Sequence, residues 1–530
     1  MQAPNAEFGG DHWGRRLSAL WLAASLTLAA GCAAARQSVP PTLPHGRSVM
    51  QDYEASFNAG WEQVDSFEQS HWVQQALEPA EDRHRQYEVK RKRVGNIEVH
   101  SVDLTNEGIV ALVRTELGDW VKCFIDFGAD GERVLKIKWL EAKAPESEPG
   151  PRTQDEFVSA LDDFVSRFTK LAGFSGAVLI ARRGEIILEK AYGQARRQPP
   201  VANQLNTRFN TASIDKLLTA VVVFELIEAG KLSLDGTVCQ YLPKYPLEQA
   251  CPVTIDQLLT HTAGMPDIIN PRLVSSVTRL RSPQDYIDLF GKDLLVGPAG
   301  GQWRYSNYGY AVLGRIVEVV EGQPFDEVVR KRVYDRAIMR DSLRTLPARN
   351  EPNVAVPYAF ALPGNEKLEY GVERDARPYL PLPGPFCCSY TTVHDLYNFA
   401  QALIRGKLVS RKTLELMVTT NRSRGSNLIG HYGYGIMSET VHGVDFFGHD
   451  GGLWGVNGVL RMTMRGDVVV VLSNVSPGAA QRVGARALDW LARLPAPTGE
   501  STAASDSASL ATDAPDRRSS LANRASSQLL

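Results

Sequence analysis

FNTASIDKLLTAVVVFELIEAGKLSLD, residues 209–235, decides how the rest of the chain is read. A polar run gives way after Ser213 and Lys216 to an apolar stretch that sets Leu217, Ala220, Val221, Phe224 and Ile227 on one helical face, with Gly230 as a stop. Thr211 and Ser213 are good helix-capping residues, so a cap by itself explains the serine. It gives no reason for Lys216, whose ammonium lies one turn along on the same side and is awkward if that end of the helix is buried. The chain holds only one serine three residues before a lysine, but so short a match is weak alone. Helix start and nucleophile with its activating amine remain alternatives until the downstream sequence is read.

Two further elements bear on that choice. In PAGGQWRYSNYGYAVLG, residues 298–314, Tyr305 and Asn307 alternate and share a side if the stretch is extended; it is the only YxN in the chain. The bland reading is a turn in which Ser306 and Asn307 cap the helix carrying Ala311, Leu313 and Ile316. The pattern HxG occurs at His12, His431 and His449, and only His449 continues into a second glycine, Gly451 then Gly452, and enters strand-like sequence. His12 belongs to the leader, and at His431 the following YGYG is sufficiently explained as a glycine-rich loop.

At 530 residues, 43% hydrophobic and 22% charged, the composition is that of a globular chain of two or more domains. Lys and Arg total 58 against 60 Asp and Glu, so no overall field draws the protein to nucleic acid or to an anionic membrane. Arg15 and Arg16 precede LSALWLAASLTLAA and then Gly31 and Cys32, which reads as an export signal. The apolar run of about 14 residues is short of the roughly 20 that a spanning helix needs. LAAGC resembles a bacterial lipoprotein signal, in which Cys32 carries the lipid and places the protein in the periplasm or on a membrane; Ala29 stands where leucine is usual, and AAA at 33–35 offers ordinary cleavage instead. Cys239 and Cys251 flank QYLPKYPLEQA and can bridge in an oxidising compartment, but buried free thiols are the state expected here. No CxxC or Cys/His cluster calls for a metal, and no cofactor is expected.

The pattern divides the chain into an export signal (1–35), a proline-rich linker (36–47), a small α+β domain (48–142), a second linker (143–154), a larger α+β domain (155–494) and a Ser/Ala-rich tail (495–530) expected to be disordered. In the small domain, DWVKCFIDF and RVLKIKW read as strands, with Val121, Cys123, Ile125 and Phe127 on one face. FNAG followed by a helix and strands is similar to NTF2-like segments. In the larger domain Phe157, Leu161, Phe164, Phe168 and Leu171 keep helical spacing, FSGAVLIARRGEIILEKAYG reads as a hairpin turning at Arg183 and Gly184, and DFFGHDGGLWGVNGVLRMTMRGDVVVVLSN supplies more strands before the helix AAQRVGARALDWLARL. One antiparallel sheet built from both ends, with the helical middle as a lobe, would form a crevice between distant residues.

FNTASIDK, YSN and GHDGG, in that order and at those separations, resemble the serine β-lactamase-like superfamily, in the branch of class C β-lactamases, penicillin-binding-protein-like esterases and D-aminopeptidases. The resemblance extends over about 155–494 and includes VTIDQLLTHTAGMPD and the closing VVVVLSN. It implies a β-lactamase/transpeptidase-like fold and an acyl-enzyme on Ser213, with Lys216 and Tyr305 relaying its proton; which of the two is the base stays open. It implies that Asn307 orients Lys216 and the substrate, that the backbone N–H groups of Ser213 and Gly452 receive the oxyanion, and that His449, Gly451 and Gly452 line the substrate. His261, in LTHTAGMP, is expected to be structural. His449 stands where most β-lactamases of the superfamily carry lysine, which weakens recognition of a substrate carboxylate and favours esters or small amides over β-lactams. Cys387 and Cys388 replace the small residues usual there; they narrow the acyl pocket or are simply buried thiols. A contrasting reading is a non-catalytic penicillin-binding-like module that binds cell-wall peptide or a protein partner.

Overall fold

The structure, a computed structural model, describes residues 42–106, 108–142, 150–348, 351–359, 374–420, 431–475 and 478–495. The export signal with Cys32, residues 143–149 of the second linker and all but the first residue of the tail lie outside the described residues.

The first helix, α1 (Leu43–Ala59), begins inside the expected linker. Thr42 supplies the cap, its hydroxyl accepting from the His45 N–H, and Pro44 falls in the first turn, where a missing N–H costs nothing. Gly60, at φ 137, separates α1 from α2 (Trp61–His71), and α3 (Ala80–Val94) follows. These helices pack on an antiparallel sheet in the order β1 (Ile97–Leu104), β2 (Gly108–Thr115), β3 (Trp120–Phe127), β4 (Val134–Ala142). Val121, Cys123, Ile125 and Phe127 all face the core that Val49, Tyr53 and Phe57 of α1 complete.

The larger unit opens with α4 (Gln154–Lys170), whose capping box joins Thr153 and Glu156. Next come β5 (Gly176–Arg182) and β6 (Glu185–Tyr192), joined where Arg183 (φ 52) and Gly184 (φ 87) take the left-handed conformation of a tight hairpin turn. The chain then leaves the sheet for α5 (Asp215–Glu228), α6 (Asn307–Glu321) and α7 (Val393–Ile404) with shorter helices between them. It returns as β7 (His431–Tyr432), β8 (Met437–Val441), β9 (Val444–Leu453), β10 (Val456–Met462) and β11 (Val468–Ser473), and ends in α8 (Ala479–Arg493). The sheet order β7-β8-β9-β10-β11-β5-β6 places the two ends of the sequence side by side.

The uninterrupted apolar character of β5 and β11 follows from burial on both faces. Ala177, Leu179, Val468, Val470 and Leu472 pack against the helical lobe, whereas Val178, Ile180, Val469 and Val471 pack under α4 and α8 with Phe157, Leu161, Val483 and Ala487. The turn between β2 and β3 docks on this second face. Leu117 joins its apolar core, the Asp119 carboxylate accepts from Arg482 and Arg486 of α8, and the Glu116 carbonyl accepts from Arg167 of α4 at 2.7 Å. The small domain is therefore fixed to the side of the sheet away from the helical lobe.

Candidate active site

Ser213 lies in a single 3-10 turn, Ala212–Ile214, that runs straight into α5. Its side chain makes no capping bond, so the helix-start explanation of this serine does not hold; Thr211 likewise turns its hydroxyl away, to the Ser389 carbonyl at 3.0 Å. Ala212 preceding it has φ 45, a conformation held by Asn210 Oδ1, which accepts the Ala212 N–H at 2.9 Å, and by the Cys388 N–H, which donates to the Ala212 carbonyl at 3.3 Å. The turn thus presents Ser213 half-exposed above an otherwise buried helix start.

Lys216 is 0% exposed. Its Nζ lies 3.1 Å from Ser213 Oγ, 2.7 Å from Asn307 Oδ1 and 2.8 Å from the Phe386 carbonyl. Burial pulls its pKa down to about 7, against the opposing pull of the Asp267 and Asp215 carboxylates. Asp215 is itself fully buried and accepts the Ser389 N–H at 2.8 Å, so it ties the segment around Phe386 to the start of α5. The Tyr305 ring centroid lies 4.8 Å from Lys216 Nζ, and Ser213 is among the polar groups that act on its phenol. Burial raises the phenol far above its ordinary pKa, so Tyr305 is a proton donor rather than a phenolate at neutral pH. Ser306 caps α6 by accepting the Gly309 N–H at 3.1 Å, and Asn307, the first residue of that helix, turns its side chain into the site. Capping and catalytic geometry are divided between neighbours here.

β9 supplies the third wall. His449 is 0% exposed, and its Nδ1 lies 2.6 Å from the Asp450 carbonyl, an obligate acceptor, so the proton sits on Nδ1 and Nε2 is left to accept. The Tyr432 hydroxyl lies 3.2 Å from that Nε2 and 3.1 Å from Nε2 of His261. His261 Nδ1 accepts the Ser306 N–H at 3.1 Å, which puts the His261 proton on Nε2. Tyr432 therefore accepts from His261 and donates to His449, linking the start of α6 to β9. Burial takes the His449 pKa down to about 3, reinforced by Lys216, and holds His261 well below its ordinary value. Both rings are neutral at any working pH.

Gly451 is the glycine that close packing requires: a Cβ there would come within 2.2 Å of the Thr211 carbonyl, so β9 can lie backbone to backbone on the nucleophile turn. At Gly452 a Cβ would meet nothing within 4 Å, and this exposed residue faces open space. Asp450 and Glu439 share Arg461, at 2.5 and 3.0 Å, so that guanidinium's charge is already matched.

The cysteine expectations need correction. Cys239 pairs with Cys251, because an antiparallel bridge between Thr237 and Thr254 brings their Cα atoms to 4.6 Å. Cys387 pairs with Cys388, whose φ of 83 turns adjacent side chains together in the segment behind the nucleophile. Three contributors escaped the sequence reading. Asp267 closes the stretch VTIDQLLTHTAGMPD and accepts from Asn307, Tyr432 lies in the YGYG set aside as a loop, and the Phe386 carbonyl belongs to a backbone that leaves no residue signature.

Fold and site together define a member of the serine hydrolase superfamily with a β-lactamase/transpeptidase-like architecture. The Beta-lactamase family model matches residues 161–494, and the chain belongs to that family. A putative penicillin-binding protein PbpX of Bacillus subtilis is 31% identical over 324 residues, which cover 59% of this chain and 74% of that protein. Esterase EstB of Burkholderia gladioli is 32% identical over 241 residues, 43% of this chain and 58% of the esterase. A penicillin-binding protein structure from Bacillus halodurans superposes with a TM-score of 0.52 at 29% identity, over 63% of this chain and 98% of its own. The D-amino acid amidase of Ochrobactrum anthropi shares the fold at a TM-score of 0.54 and 21% identity, over 64% of this chain and 98% of the amidase.

Proposed function

We propose that the protein is an exported serine hydrolase that cleaves an ester or a small amide through an acyl-enzyme on Ser213. The observation that carries this reading is the buried Lys216 amine, with its pKa lowered to about 7, at 3.1 Å from Ser213 Oγ. A neutral amine at that place takes the hydroxyl proton as Oγ attacks the substrate carbonyl carbon. The oxyanion so formed is received by the backbone N–H groups of Ser213 and Gly452, at the positive end of α5. As the intermediate collapses, the bond to the alcohol or amine breaks and the Tyr305 phenol protonates the leaving group; Lys216 returns its proton to Tyr305. Water then cleaves the acyl ester by the same path in reverse.

Neutral His449 and the matched charge of Arg461 support preference for substrates without a carboxylate near the scissile bond, hence weak or absent β-lactam turnover. The similar proteins include the esterase EstB and a D-amino acid amidase whose structure holds L-phenylalanine amide, which is compatible with ester and amide substrates. Export is supported by the two disulfides, which suit an oxidising compartment, and lipidation at Cys32 is part of the same proposal.

The test incubates the mature protein and its Ser213→Ala variant with a short-chain aryl ester, a D-alanyl amide and a chromogenic cephalosporin, and follows covalent labelling by a serine-directed phosphonate probe. Ester or amide turnover and labelling in the wild type alone are expected. Equal behaviour of the two proteins on every substrate, with no labelling of either, overturns the reading. Rapid cephalosporin turnover overturns the inference from His449, and membrane association that survives Cys32→Ser removes the lipid anchor.

A further inference from the structure

Asp267 is exposed to solvent, yet one of its oxygens is fully committed. Oδ1 accepts the Asn307 backbone N–H at 3.1 Å, the Asn307 side-chain Nδ2 at 2.9 Å and the Ile268 N–H at 2.9 Å. A carboxylate can only accept, so it obliges the amide to face it with nitrogen. The amide oxygen is thereby turned the other way, to Lys216 at 2.7 Å. The Phe386 carbonyl, a second obligate acceptor, stands 2.8 Å from the same Nζ. A neutral amine has two N–H bonds and one lone pair. With both N–H bonds spent on Asn307 and Phe386, the lone pair is left for the remaining direction, in which Ser213 Oγ lies at 3.1 Å. With the amide reversed, Asn307 would offer N–H donors to Lys216 and compete for that lone pair.

We infer that Asp267 is a positioning residue for the acyl-transfer reaction: by fixing the orientation of the Asn307 amide it aims the Lys216 lone pair at Ser213. The inference rests on the acyl-enzyme reading above and deepens it. Asp267 touches neither Ser213 nor Lys216 by hydrogen bond and acts through Asn307, which places it on the loop after the short helix Ile255–Leu259 rather than in any of the three sequence motifs.

A structural role alone would leave the pH profile of the reaction where it is, and this separates the two possibilities. The groups that face Lys216 are Ser213 and Asp215 on its own element, Tyr305, Asn307 and Tyr310 at α6, His261 and Asp267 from the preceding loop, His449 on β9 and the Phe386 carbonyl. Of these, Asp267 and Asp215 are the charges that raise its pKa. Removing the Asp267 charge therefore lowers the pKa of the base, so the acid limb of the rate profile moves to lower pH.

The experiment compares wild type, Asp267→Ala and Asp267→Asn with Ser213→Ala as the blank. Phosphonate labelling rates and aryl-ester kcat and KM are measured from about pH 5 to about pH 9, with a thermal melt of each protein. Asp267→Ala is expected to label roughly tenfold more slowly, to lose kcat with KM within about threefold, and to show the displaced acid limb. Asp267→Asn keeps an acceptor oxygen without the charge, so it shows the same displacement with a smaller loss of rate. Wild-type rates in Asp267→Ala, or a slow enzyme with an unmoved acid limb in both variants, overturn the inference while leaving the acyl-enzyme reading intact. Labelling that is the same in wild type and Ser213→Ala overturns the acyl-enzyme reading, and this inference with it.

Discussion

Lys216 Nζ sits 3.1 Å from Ser213 Oγ on a side chain with 0% exposure, so the nucleophile's neighbour is an amine that water does not solvate. Its pKa of about 7 puts the base half-neutral near physiological pH. The rate of serine acylation is expected to fall about tenfold per pH unit below that value, because only the neutral amine accepts the proton. Lys216→Ala is expected to lower kcat/KM by roughly 10²- to 10⁴-fold and to remove that acid limb, as read from aryl-ester kinetics over the same pH range.

The same burial has a cost in stability. The folded-state pKa of Lys216 lies below its unfolded value of 10.5, so the folded protein is penalised wherever the unfolded chain holds a proton that the folded one resists. The penalty is complete below the folded pKa of about 7 and fades as pH rises toward the unfolded pKa. Lys216→Met removes it, while stranding the acceptors Asn307 Oδ1 and Phe386 O at every pH. Relative to wild type, the variant is therefore expected to be more stable at pH 6 than at pH 10. Denaturant melts at the two pH values that show no such difference would mean that the lysine is not desolvated.

The Tyr432 hydroxyl bridges two buried histidines, His261 and His449. Tyr432→Phe takes a donor from His449 and an acceptor from His261, each in a dry site, at a cost of roughly 1–3 kcal/mol per group left unsatisfied. A lower melting temperature and about tenfold lower kcat/KM are expected, since β9 and the start of α6 lose their shared anchor. Because both rings are neutral across the working range, the pH profile should keep its shape, which distinguishes this variant from those at Lys216 and Asp267.

Most of the scaffold was legible because its signals are local. The Arg183–Gly184 turn, the helical spacing of Phe157 to Phe168 and the unbroken valines of β11 each report their own environment, and together they required one sheet made from both ends of the unit. The motif residues Ser213, Lys216, Tyr305 and Asn307 converge because three separated segments meet at that sheet, and spacing alone did not show which atom faces which. What the sequence withheld depends on long-range placement. Tyr432 acts only because β7 lies beside the loop of His261, Cys239 meets Cys251 only through the bridge of their flanking threonines, and the Phe386 carbonyl would be there whatever side chain residue 386 carried. Ser213 misled in the opposite direction: its sequence context is that of a cap, but a 3-10 turn takes the place of the capped first turn and frees the hydroxyl.

The neighbouring glycines of β9 make a discriminating pair. A methyl group at Gly451 would meet the Thr211 carbonyl at 2.2 Å and Ala212 Cβ at 3.2 Å, neither of which is the free end of a flexible side chain. Gly451→Ala must therefore push β9 away from the nucleophile turn. It is expected to lose a few kcal/mol of stability, on the scale of about 1–3 kcal/mol for overpacking, and most of its activity. Gly452→Ala introduces its methyl into open space and should leave the melting temperature unchanged. If the Gly452 N–H receives the oxyanion, that methyl stands where substrate approaches, and the loss should appear in kcat/KM for bulky acyl groups before acetyl esters. Thermal melts with an acyl-chain series for both variants check this; equal destabilisation by the two substitutions would mean that β9 does not rest on the turn at Gly451.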